Sequence, residues 1–93
     1  MTEGGIYSID NGDGKFGVVK ILKLEPGVVH VRVYKNKFAA RPTSVQLDEL
    51  SLGSVKDKDG WRSQISIATG RWDFLEENFG WGPKAEARAG AVV

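Results

Sequence analysis

Residues 16–24 and 28–34 are two apolar, β-branched runs separated only by Glu25, Pro26 and Gly27. Pro fixes φ and Gly accepts positive φ, so Pro-Gly at the two central turn positions reverses the chain. An antiparallel hairpin is therefore the unit around which everything else has to be arranged. In its second arm Val29, Val31 and Val33 alternate with His30, Arg32 and Tyr34, which sends the valines to a core and the polar row outward. The first arm is apolar on both alternating sets, with Phe16, Val18, Leu22 and Leu24 on one and Gly17, Val19 and Ile21 on the other. That pattern predicts a coiled strand whose middle is buried on both sides.

The same hairpin collects positive charge. Across residues 15–41, Lys15, Lys20, Lys23, Arg32, Lys35, Lys37 and Arg41 are opposed only by Glu25, in a chain of net charge +1. The rest of the chain is therefore acidic. A basic β-ribbon points to an acidic partner, although so small a net charge argues against a strong general nucleic-acid binder.

Ninety-three residues suit one compact domain. Twelve glycines imply many turns and short strands, so the chain reads as mainly β. The absence of cysteine excludes disulfides, thiolate metal sites and a cysteine nucleophile, and cytoplasm is the expected location. No apolar run approaches the roughly 20 residues that span a bilayer, and residues 1–5 lack the features of a signal peptide, so no membrane association is expected.

Around the hairpin, residues 6–9 read as a first strand that enters the tight turn Asp10-Asn11-Gly12-Asp13-Gly14. After Arg41-Pro42, Val45 and Leu47 suggest a short fourth strand, with Leu50 and Leu52 closing one end of the core. Residues 54–60 read as a solvated polar loop, and Ile65 and Ile67 as a fifth strand. A helix then starts at Thr69 or Gly70 and stops at Gly80, presenting Trp72, Leu75 and Phe79 to the core. Residues 83–93 carry small side chains without an apolar stripe and are expected as a flexible tail, leaving 1–82 as the domain. The most economical closure is a small SH3-like five-stranded antiparallel barrel with one C-terminal α-helix.

Two resemblances bear on this. The run Gly12-Asp13-Gly14-Lys15-Phe16-Gly17-Val18-Val19-Lys20-Ile21, followed by Val29, Val31 and Val33, resembles the KOW motif of ribosomal and transcription-elongation proteins. The resemblance implies a sharply coiled strand at Gly17 and contact with RNA or protein. Tyr34-Lys35-Asn36-Lys37-Phe38 followed by Arg41-Pro42 is similar to a stretch in small bacterial proteins of unassigned role, which implies no activity.

Candidate sites follow from these patterns. Lys20, His30, Arg32, Tyr34, Lys35 and Lys37 form a set that could bind RNA or single-stranded nucleic acid, with cations on phosphates and aromatic faces on bases. The bland alternative is a solvated strand face. Trp61, Phe74 and Trp81 lie off the core face of the helix or flank it in loops, where they could anchor a protein partner or a homodimer, or wrap the edge of a small core. The turn at Asp10 places Gly12 and Gly14 where a calcium loop needs oxygen ligands, so it reads as a hairpin turn. His30 is the only histidine, Gly12 and Gly14 feed a strand rather than a helix N-terminus, and no catalytic, metal, cofactor or nucleotide motif is found. The expected function is a noncatalytic interaction module working through the aromatic surface, with nucleic-acid binding on the basic ribbon as the alternative and small-ligand binding as a third reading.

Overall fold

The computed structural model describes residues 1–11, 13–52, 66–81 and 84–92. Trp61, the polar segment 54–60 and Ile65 lie outside the described residues. The chain runs β1 (Ile6–Asp10), β2 (Phe16–Glu25), β3 (Val28–Val33), β4 (Ile67–Gly70), α1 (Trp72–Phe79), α2 (Ala85–Arg88) and β5 (Gly90–Val92). The five strands form one antiparallel sheet in the order β4-β3-β2-β1-β5. Among the described residues the sheet is not closed: β4 and β5 stand at its two ends, whereas the strand pattern suggests a closed barrel.

The central hairpin forms as its residues dictate. Glu25 pairs with Val28, and Gly27 takes the left-handed φ of 75° that the turn demands. Val18, Val19 and Ile21 are all buried, so β2 is covered on both sides. The register slips at Leu22 through a β-bulge, which adds twist to a long strand in mid-sheet. On one face Ile9, Val19, Ile21, Val29, Val31 and Ala68 pack with Leu75, Trp81 and Ala85 as the core, flanked by Tyr7, Val33, Trp72, Phe79 and Ala89.

Three expectations need correction. Residues 45–47 form no strand; a single turn of 3-10 helix occupies Leu47–Glu49, held by Glu49 N–H to Gln46 O (3.0 Å) and Leu50 N–H to Leu47 O (3.2 Å). Without a paired strand among the described residues, the carbonyls of Gln46 and Leu47 are satisfied locally instead. Leu52 is 55 % exposed and does not close the core. Asn36 fixes this segment from the side, donating to Glu49 O at 3.1 Å and accepting from Ser51 N–H at 2.7 Å.

The end of the chain is the third correction, because the segment expected as a tail carries α2 and β5. Tyr7 pairs with Ala91 and Ser8 with Gly90, adding an edge to the sheet. Glu76 Oε1 accepts the Ala85 N–H at 2.6 Å, and Ala85 is buried. Small side chains serve here by letting the backbone approach the core.

α1 presents the predicted face and stops at Gly80, but it starts at Trp72 rather than at Thr69 or Gly70, which are paired in β4. Leu75 is fully buried, Trp72 and Phe79 pack against the core, and Phe74 is 52 % exposed. Gly80 caps the helix at φ 72°, and the Trp81 N–H reaches back to Glu76 O at 3.1 Å. Such a left-handed cap characteristically turns the following apolar residue back onto the helix. Trp81 accordingly lies inside, 6.2 Å from the Trp72 ring and 6.1 Å from Phe79.

On the opposite face of the sheet, Arg41 lies across β1 and β2. Its guanidinium stands 4.8 Å above the Phe16 ring and donates to Ser8 Oγ at 2.8 Å and to Ser8 O at 3.3 Å. Arg41→Ala is expected to cost about 1–2 kcal/mol, combining one cation–π contact with a charged hydrogen bond to buried Ser8. Urea unfolding checks this; a midpoint equal to the parent's would show that Arg41 only rests on the surface.

Candidate functional site

The strand register decides which cations meet. Lys20 on β2 lies directly opposite Arg32 on β3. The same cross-strand row continues to Ile6 and Val92 on one side and Ile67 on the other. Because Val19, Ile21 and Val31 face the core, Lys20 and Arg32 occupy the face turned away from α1. Two like charges directly opposite in an antiparallel pair oppose folding. Among the described residues no carboxylate lies within ion-pair distance of either. This half-buried pair of cations is the candidate site.

His30 shares the face but is already engaged. Its Nε2–H donates to Glu25 Oε2 at 2.7 Å, and its Nδ1 meets the Thr69 hydroxyl at 3.1 Å. Lys23 Nζ lies 3.6 Å from the other Glu25 oxygen. The His30 hydrogen bond first, then the Lys23 charge, hold the Glu25 carboxyl below its ordinary value of 4.5. A group with a depressed folded value stabilises the fold above its unfolded value, and that contribution disappears as pH falls through the folded value. His30→Ala is therefore expected to raise the Glu25 titration midpoint, as read by carboxyl-carbon NMR. An unchanged midpoint would mean that Lys23 alone sets it.

The other residues of the predicted basic set separate. Tyr34 is 8 % exposed and bridges to Leu52, so its ring offers no stacking surface. Lys35 is exposed beyond the end of β3, its backbone N–H bonded to Ser51 O at 2.9 Å. Lys37 reaches a different place: a Cβ at Gly17, which pairs with Ile9, would lie 3.7 Å from its ammonium and 3.4 Å from Asn11. That is the β1–β2 turn, not the Lys20–Arg32 row. Arg41 is the cation that sequence reasoning leaves out of the site, since its guanidinium crosses the same face over Phe16. The Arg-Pro step shows extended backbone but gives no sign of which face receives the side chain.

The aromatic set also divides. Phe74 is exposed as expected, whereas Trp81, 6 % exposed, is a core residue and not an interface anchor. Gly80 followed by a large apolar residue is the signal that identifies this placement, because the pair is the C-terminal half of a left-handed helix cap. Trp61 lies outside the described residues.

Among the described residues, no cluster of three His, Cys, Asp or Glu side chains could hold a metal ion, and no helix is long and apolar enough to cross a membrane. No family model matches the chain, and neither a curated protein nor a solved structure is significantly similar to it.

Proposed function

We propose that this chain is a noncatalytic binding domain that holds single-stranded nucleic acid by its phosphates on the sheet face around Lys20 and Arg32. The observation that carries the reading is the cross-strand position of these two cations, without a carboxylate partner among the described residues. An anion bridging them would remove the repulsion that the fold otherwise sustains. Arg41 extends the positive surface. Buried Tyr34 leaves no aromatic platform on this row, so the contact is to backbone and indifferent to base. The KOW-like run through Lys20 is in keeping with an RNA contact.

Two phosphate contacts predict a salt dependence of log affinity with slope about −1.4, and three, with Arg41, about −2. Fluorescence anisotropy of a labelled oligouridylate across a salt series measures it, with oligothymidylate expected to bind equally. Affinity that does not fall with salt, or no binding at low salt, overturns the reading. A second reading, contact with protein or with a second copy through α1, rests on Phe74 at 52 % exposure. A salt-resistant dimer by light scattering that ignores RNA would favour that reading instead.

A further inference from the structure

On the helix side of the sheet, where the β2–β3 turn meets α1 and α2, lies a cleft of about 380 Å³. Its apolar lining comes from Leu24, Val28, Val29 and Trp72. Its charged lining comes from Glu25, Asp73 and Glu86 against the single guanidinium of Arg71. The volume falls within the range of small-ligand sites, which combine apolar walls with a few placed polar groups.

The charges are not equivalent. Arg71 is committed to Asp73 at 3.3 Å, and Glu25 to His30 and Lys23. Glu86, exposed on α2, has no cationic partner among the described residues. The cleft therefore carries an excess of negative charge beside an indole, and an indole face itself attracts cations. The apolar walls of Leu24, Val29 and Trp72 beside this charge suit an organic cation.

The geometry points to a binding site for a primary ammonium on a short alkyl chain, with the chain along Leu24, Val28 and Trp72 and the ammonium toward Glu86. Neither Lys20 nor Arg32 lines the cleft, and Glu25, bonded to His30, is the one lining residue tied to the basic face. The chemistry could come from a free amine or from a lysine side chain.

The test is an NMR titration of the whole chain that follows the Trp72 indole N–H and the methyls of Leu24 and Val28. The probe is n-butylammonium chloride, with sodium pentanoate as the anionic control of similar length. Saturable shifts with the ammonium and none with pentanoate are expected. Glu86→Lys should weaken binding about tenfold or more, because it sets a like charge against the ligand. Glu86→Gln, a milder change at the same exposed position, should weaken it about threefold, which keeps the test decisive if Glu86→Lys disturbs α2. Unsaturable shifts, equal response to pentanoate, or unchanged binding in both variants overturns the proposal. An acetylated, amidated lysine peptide that binds more tightly than butylammonium assigns the site to a partner's lysine; equal affinity assigns it to a free amine. Failure here leaves oligouridylate binding untouched, and Arg32→Glu should leave the ammonium affinity unchanged.

Discussion

Trp81→Ala is expected to destabilise the domain by about 3–5 kcal/mol, the range for deleting a buried aromatic side chain. The whole stability of a domain this size is on the order of 5–15 kcal/mol, so the variant should sit near its unfolding midpoint at moderate temperature. Three interactions concentrate the effect. The indole fills the space between Trp72 and Phe79. Its backbone carbonyl accepts a hydrogen bond from Arg88 Nη2 at 2.9 Å, and Arg88 Nη1 lies 3.5 Å from Asp10 on β1. Displacing residue 81 therefore loosens α1, α2 and the β1–β5 edge together. Urea unfolding should show a much lower midpoint with little change in slope. A destabilisation below about 0.5 kcal/mol, the usual range for surface substitutions, would return Trp81 to the surface.

Arg32→Glu is expected to move binding and folding in opposite directions. It replaces a like-charge cross-strand pair by an attractive one with Lys20, which should raise stability by about 0.2–1 kcal/mol. Nucleic-acid affinity should fall, and the salt slope should become shallower by about 0.7, because one phosphate fewer is neutralised. Adding Lys20→Glu restores the repulsion, returns stability toward the parent's, and should abolish binding, since two carboxylates now face the phosphates. A merely solvated face would show the stability changes without any effect on binding. A less stable Arg32→Glu would instead mean that Arg32 packs in a way its register does not convey.

Much of this fold is legible in the residues themselves. The Pro-Gly turn, the valine alternation, the doubly buried β2, and a helix with Trp72, Leu75 and Phe79 inward are short-range consequences of backbone chemistry and apolar spacing. The corrected elements share another cause. Residues 45–47 have an alternating pattern but no strand paired with them among the described residues, and residues 90–92 have almost no pattern but do have a neighbour in β1. Strand identity depends on the partner as much as on the residues.

The site divides along the same line. Residue order alone concentrates positive charge on the central hairpin and turns Arg32 away from the valine face, because side-chain direction alternates along a strand, whereas the first arm, apolar on both sets, assigns Lys20 to neither face. It takes the folded sheet to stand these two side by side, to engage Glu25 with His30, to cover Tyr34 and to send Lys37 elsewhere. Register and a bulge at Leu22 set those outcomes, and both depend on hydrogen bonds and packing between distant segments rather than on local residue preference.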